Sequence, residues 1–227
     1  MLSLHNVTKN FGGIKAVDGC SFEVKNNTIT SLIGPNGAGK TTVFNIISGL
    51  TKPDGGSIKL LDKDITNLPP YKIAQSGISR TFQLTKIFRN MTIKDNLLIA
   101  KKTDDEEMKK ALARVHLHKS LDTIASELSY GQQRLLEIAR AVLREHKLLV
   151  LDEPTTGVNP KVRHELKVIL RELKKAGNTV LLIEHDMEFV MDISDEVIVL
   201  TEGKVLKRGK PKDIVKDKEV LEAYLGK

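Results

Sequence analysis

The segment Gly34-Pro35-Asn36-Gly37-Ala38-Gly39-Lys40-Thr41 constrains this chain more than any other. It fits G-x-x-x-x-G-K-[ST], and its setting matters as much as the match. The β-branched run Thr28–Ile33 leads into it, and a helical pattern leaves from Lys40 and stops near Gly49. A strand that turns through glycines into a helix brings several backbone N–H groups and the positive end of a helix dipole to one point. Such a point takes phosphate. Lys40 is placed as a point charge between β- and γ-phosphates. The Thr41 hydroxyl fits one Mg²⁺ position, and Thr42 fits an α-phosphate oxygen.

The rest of the chain supplies a sheet to carry that loop. Ser21–Val24 and Thr28–Ile33 read as strands separated by the turn Lys25-Asn26-Asn27, so the N-terminal third is β-rich. Pro53-Asp54-Gly55-Gly56 is a turn, and Ser57–Leu61 a short strand. Residues 86–145 read as helical. Val115, Leu121 and Leu128 are isolated apolar positions among charges there, while Leu135, Ile138, Ala139 and Val142 share one helical face. Leu148–Leu151, Thr179–Ile183 and Val197–Leu200 are wholly apolar strands. Between the first two, Val162, Leu166, Ile169, Leu170 and Leu173 form a helix stripe closed by Gly177. Apolar strands alternating with helices predict an α/β fold with a mainly parallel sheet buried on both faces. The helical block at 86–145 is then an inserted subdomain within a single domain over 1–227, beside an N-terminal antiparallel β subdomain.

Asp152 and Glu153 end the run Lys147–Leu151, which sets two carboxylates at the C-terminal edge of a parallel strand, where such sheets bind ligands. On a surface, Asp-Glu before a Pro turn is commonplace. Downstream of a phosphate loop, Asp152 reads as an Mg²⁺ holder through water, and Glu153 as the base that polarises an attacking water. The two pieces together define a P-loop NTPase and leave its kind open.

Composition narrows the partners. Aromatic residues are 4% of the 227, with no Trp, so a base-stacking platform for nucleic acid has little to work with. The net charge of +7 is that of a charged, soluble surface. No apolar run approaches the ~20 residues that cross a bilayer. The start MLSLHNVTKN has neither a basic n-region nor an apolar h-region, so no secretory signal is expected. A single cysteine, Cys20, makes no internal disulfide and reads as a small strand residue in a reducing compartment.

Leu128-Ser129-Tyr130-Gly131-Gln132-Gln133-Arg134 resembles the LSGGQ signature of ATP-binding cassette (ABC) ATPases, and the resemblance extends along the chain. Phe11 lies 23 residues before Gly34, like that family's adenine-stacking aromatic. Gln83 ends Arg80-Thr81-Phe82-Gln83, like its Q-loop. Gly157-Val158-Asn159-Pro160 stands where its D-loop belongs, and His185, 33 residues past Asp152, resembles its switch histidine. Within the family the chain is most similar to branched-chain amino acid importer ATPases, by Arg80–Gln83, Tyr130, Asn159-Pro160, Ile183–Met187 and the ending Glu222-Ala223-Tyr224-Leu225-Gly226. It departs from them in a shorter segment between Asn96 and Leu128 and in Asn26-Asn27 at the first turn. It departs from ABC D-loops generally in carrying Asn159 for Asp.

The resemblance implies an ABC-type P-loop ATPase that binds ATP and Mg²⁺. Gln83 touches the metal or the attacking water, and His185 bonds the γ-phosphate. Phe11 stacks on adenine, with Val17 adding apolar contact. Ser129 and Gly131, with Gln132 beside them, complete the site on a second cassette, a copy or a paralogue. Phosphate contacts run from Gly34 to Thr42; the metal set is Thr41, Gln83 and Asp152; the catalytic set is Glu153, His185, Gln83 and Lys40. The partners implied are polytopic permease subunits at the cytoplasmic face of the membrane and, indirectly, an extracytoplasmic solute-binding protein. Import of branched-chain amino acids or a related small polar solute is the leading reading. Lipid or lipopolysaccharide export, and soluble cofactor assembly, remain as alternatives. A soluble cassette acting on DNA or ribosomes would need insertions or a second cassette, for which 227 residues leave no room.

Overall fold

The computed structural model describes residues 1–81 and 87–225. In chain order the elements are β1 (Leu2–Phe11), β2 (Ile14–Val24), β3 (Ile29–Ile33), α1 (Lys40–Ile47), β4 (Gly55–Leu60), β5 (Lys63–Asp64), α2 (Pro70–Gln75), β6 (Ile78–Arg80), α3 (Ile93–Ala100), α4 (Asp105–Arg114), α5 (Tyr130–Leu143), β7 (Leu148–Asp152), α6 (Pro160–Lys175), β8 (Thr179–Ile183), α7 (Met187–Ile193), β9 (Glu196–Thr201), β10 (Lys204–Gly209), α8 (Pro211–Ile214) and α9 (Lys218–Leu225). They build two sheets, an antiparallel one ordered β2-β1-β4-β5 and a core sheet ordered β10-β9-β3-β8-β7-β6. The core strands are parallel except β10, which returns antiparallel along β9.

The apolar strands are apolar because both their faces are covered. Every residue of β3, β7 and β8 is buried. Alternate side chains enter different cores, as a period of two requires. Leu149, Leu151, Val180 and Leu182 pack with α5 and α6; Leu148, Val150, Leu181 and Ile183 pack with α1 and the antiparallel sheet. The α1 helix, through Val43, Phe44, Ile46 and Ile47, therefore lies between the two sheets. The strands on either side of Asn26-Asn27 do not form a hairpin with each other. Asn27 turns with φ +52 and its N–H donates to Thr179 Oγ1; beyond the turn β3 pairs with β8 and β9 in the core, while β2 stays paired with β1.

The helical block shares the core rather than forming a separate one. Ile93, Leu97, Met108 and Leu112 join Leu135, Leu136 and Ile138 of α5 and the sheet residues in one cluster. Val115, Leu121 and Leu128 join it too, from a segment without helical periodicity. They reach it because 115–128 folds back along α3: Ile93 N–H donates to Thr123 O, Lys94 N–H to Leu121 O, and Ala125 N–H to Met91 O.

The end of α4 is tied to the core helix α6. His116, at φ +52, meets Glu165 with Nδ1 and Glu172 with Nε2, the second at 2.8 Å. The hydrogen bond to Glu165 raises the imidazole above its ordinary value of 6.5, against desolvation. A folded-state value above the unfolded one stabilises the fold most where both states are protonated. The stability difference between wild type and His116→Gln is therefore expected to be fully present below pH 6.5 and lost as pH rises through the elevated value. Urea titrations at a series of pH values check this; a difference that grows toward alkaline pH contradicts it.

Candidate functional site

The core-sheet register builds the site. Leu32 of β3 and Asp152 of β7 both pair with Ile183 of β8, so these three strands end in one row. Gly34, Glu153 and Glu184 leave that row at the same edge.

The loop after β3 demands glycine at two points. Gly34 has φ +150, and a Cβ there would sit 2.1 Å from Leu200 O. Gly39 has φ +97, and its Cβ would meet Ala16 O at 2.2 Å. Between them Pro35 O accepts from Ala38 N–H at 3.2 Å, and Asn36 and Gly37 are exposed. The Lys40 side chain arches back over the loop, donating to Gly34 O at 2.7 Å and Pro35 O at 2.9 Å. Burial lowers its pKa, opposed by the charge of Glu153. Thr41 is exposed and Thr42 half-buried at the start of α1.

The two carboxylates after β7 differ in surroundings. Asp152 is 2% exposed. Desolvation raises its pKa, and Arg80 opposes this. Arg80 donates to Asp152 Oδ2 at 3.0 Å, and also to Phe44 O, Asn45 Oδ1 and Ser48 Oγ, which fastens the end of α1 to the carboxylate. Glu153 takes the left-handed backbone, φ +44, with its N–H on Ile183 O. Its Oε2 accepts from Thr156 Oγ1 at 3.1 Å and stands 3.9 Å from His185 Nδ1. Glu153 and His185 thus meet across the β7–β8 edge.

Ser129 caps α5 through a reciprocal box: Gln132 N–H donates to Ser129 Oγ, and Ser129 N–H to Gln132 Oε1. Gly131 is buried where a Cβ would meet Val162 Cγ2 at 2.6 Å, so only glycine lets α5 approach α6. Among the described residues no hydrogen bond joins Ser129, Gly131 or Gln132 to 34–42 of the same chain. Asn159 caps α6, accepting from Val162 N–H at 3.0 Å. Phe11 is 49% exposed at the end of β1, with Lys9 Nζ 5.4 Å from its ring centroid. Val17 corrects the sequence expectation: it is wholly buried in the core beneath the antiparallel sheet and offers a base no surface. Gln83 lies outside the described residues.

Two positioning groups carry no sequence signal that marks them. Arg134 is 1% exposed. It donates to Asp152 O at 2.6 Å, Glu153 O at 2.9 Å and Pro154 O at 3.4 Å, and pairs with Glu137 at 2.5 Å. The signature helix thus grips the backbone of the acidic pair. In sequence, Arg134 and Glu137 look like an ordinary solvated i,i+3 pair. Glu184 is fully buried and accepts from Thr155 N–H, Thr155 Oγ1 and His185 N–H, which ties the histidine's backbone to the turn after Glu153. Burial raises the Glu184 carboxyl, opposed chiefly by its bonds from Thr155.

Residues 17–156 match the family model described as ABC transporter. The chain is 41% identical over its whole length to the high-affinity branched-chain amino acid transport ATP-binding protein BraF of Pseudomonas aeruginosa, of which it covers 98%. It is 42% identical to LivG of Escherichia coli, with the same coverage. The ADP conformation of MJ1267, an ATP-binding cassette of an ABC transporter, superposes with a TM-score of 0.91 at 36% identity, covering all of this chain and 99% of that one. A more distant cassette, MJ0796, solved as a dimer bound to ADP and Pi, superposes at 0.82 and 25% identity, covering 93% of this chain and 99% of its own.

The Arg134 contacts separate stability from turnover. Arg134→Met breaks the buried pair with Glu137 and is expected to cost about 3–5 kcal/mol of unfolding free energy. Arg134→Met with Glu137→Met restores most of that loss, yet ATP turnover stays low because the carbonyls of 152–154 have lost their donor. Urea midpoints and kcat, measured together, check the split; a double variant with wild-type turnover refutes it.

Proposed function

The chain belongs to the ABC transporter family as one of its ATP-binding, ATP-hydrolysing subunits, and on that premise we propose that it powers import of branched-chain amino acids or a related small polar solute. The solute class rests on one observation, the full-length identity to BraF and LivG, proteins named for branched-chain amino acid transport. Arg80 of the Q-loop motif, Tyr130 and Asn159-Pro160 support it.

The site suits in-line attack of water on the γ-phosphorus, a reaction that needs positioning and charge more than covalent chemistry. In the proposed cycle Lys40 exchanges the carbonyls of Gly34 and Pro35 for phosphate oxygens, a stronger charge-assisted pairing. Glu153 polarises the water, and His185, whose Nδ1 stands 3.9 Å from Glu153, holds the γ-phosphate. Gln83 is assigned to the water or the metal. Phe11 stacks on the base.

Mg²⁺ fits the donors present. The Thr41 hydroxyl and the Asp152 carboxylate are hard oxygen ligands. Among the described residues no cluster of three His, Cys, Asp or Glu could hold a metal, so phosphate oxygens and waters would have to complete the shell. When bound, the ion neutralises charge on the transferring phosphoryl group.

Among the described residues Ser129 and Gly131 make no hydrogen bond to the phosphate loop of their own chain, which is compatible with assigning them to the site of a second cassette, a copy or a paralogue. ATP then holds two subunits together across a two-fold axis, and hydrolysis releases them. None of the described helices is long and apolar enough to cross a membrane, so the pathway is assigned to permease subunits, with this chain on the cytoplasmic face and a solute-binding protein outside. Residues 86–145 are assigned as the helical subdomain. A groove of about 460 Å³ beside it, lined by Leu50, Ile73, Phe88, Ile99, Arg140 and Arg144, is assigned to permease docking.

Glu153→Gln is expected to bind Mg-ATP, lose turnover about 10²–10⁴-fold, and accumulate as a dimer. Captured from solubilised native membranes with Mg-ATP, that variant should bring down polytopic permease subunits and a second cassette, identified by mass spectrometry. Reproducible capture of soluble proteins alone would remove the transport reading and favour cofactor assembly. Permease subunits of a lipid exporter would move the solute class.

A further inference from the structure

The α6 and α7 helices are laced together by ion pairs. Arg163, Lys167, Arg171 and Lys174 line one face of α6. Arg163 meets Asp186 at 2.6 Å and Glu188 at 3.6 Å; Lys167 meets Glu188 at 3.4 Å and Asp192 at 2.9 Å; Arg171 meets Asp192; and Lys174 meets Asp195 at 2.5 Å. Most rungs are exposed on at least one side, where an ion pair contributes little.

The first rung differs in burial and in place. The Asp186 side chain is 18% exposed and that of Arg163 33%. Asp186 directly follows His185 and uses both its oxygens: Oδ1 accepts from Phe189 N–H and caps α7, while Oδ2 takes the guanidinium. Arg163 stands one turn into α6, where its N–H donates to Asn159 O. One residue therefore joins the two segments that border the site, with its backbone N–H on Asn159 O at the end of the stretch from Glu153 and its side chain on Asp186 in the stretch carrying His185. The imidazole needs that support from its backbone. Its side chain is 61% exposed, and Nδ1 stands 3.9 Å from Glu153, beyond hydrogen-bond reach. Glu184 secures the segment at His185 N–H, and Asp186 secures it from the other side.

We propose that Arg163 is a positioning residue for ATP hydrolysis: its ion pair with Asp186 keeps His185 in register with Glu153, so that the two groups close on the γ-phosphate as one unit. This rests on the roles given above to Glu153 and His185. The chemistry separates the pair from the cap, because asparagine caps a helix as well as aspartate but carries no charge. Asp186→Asn thus removes the ion pair and spares α7.

The test is a double-mutant cycle on the full chain with Arg163→Gln, Asp186→Asn and their combination, with Arg163→Lys as the conservative variant and Lys174→Gln as a matched loss at the far end of the ladder. Each of the first two is expected to lower kcat about tenfold with KM for ATP within about twofold, and the combination to be no slower than the worse single variant, as for residues acting through one contact. Arg163→Lys should recover most of the rate, and Lys174→Gln should keep the wild-type kcat. Multiplicative losses in the double variant, unchanged kcat in folded single variants, or an equal loss in Lys174→Gln would each overturn the proposal. Glu153→Gln and His185→Ala are measured alongside. If they retain turnover, the catalytic reading fails and Arg163 loses its role with it; if they lose turnover while the Arg163 variants do not, the positioning proposal alone fails.

Discussion

Three parallel strands, β3, β8 and β7, buried on both faces and ending in one row, are the constraint on which the site depends. Their side chains alternate between two cores, so a one-residue slip would exchange every side chain between them. With that register held, Gly34, Glu153 and His185 leave the sheet at one edge. The phosphate loop lies more than a hundred residues before the carboxylates and the histidine, and the ladder Leu32–Ile183–Asp152 brings them to one level.

Around that edge buried charge is handled by saturation. Asp152 and Glu184 are drawn toward the neutral form by burial and toward the ionised form by donors aimed at them. Arg80 spends its guanidinium on one carboxylate and the end of α1, and Arg134 on the carbonyls of three successive residues. Groups so heavily bonded cannot shift singly. A displacement of α5 or of α1 would thereby carry to Asp152 and Glu153. Lys40 is the contrasting case. Its bonds are to two loop carbonyls, the kind that a phosphate would replace in the cycle proposed above.

Where sequence reasoning stopped short, the cause is tertiary. Val115, Leu121 and Leu128 carry no period because they lie outside helices, on a segment whose backbone pairs with α3. Val17 suits contact with a base by type and position, but the packing of β2 on the core leaves its side chain covered. Arg134 and Glu137 have the spacing of a surface pair, and only the approach of β7 shows that they are enclosed. Asn26-Asn27 marks a turn correctly, but the change of sheet there follows from the pairing of β3 with β8 and β9, far along the chain.

What the sequence determined alone is the chemistry that local backbone geometry dictates: the glycine loop between strand and helix, the apolar strands that must be covered on both faces, and the acidic pair at a strand end. These are legible because each is specified by residues adjacent in the chain. What the tertiary structure decided is which charges are buried and what answers them. The grip of Arg134 on the acidic turn, the bond from Arg80 to Asp152, the Glu184 tie to His185 and the covering of Val17 all join residues distant in sequence. Desolvation, which sets their energies, exists only once the packing is complete.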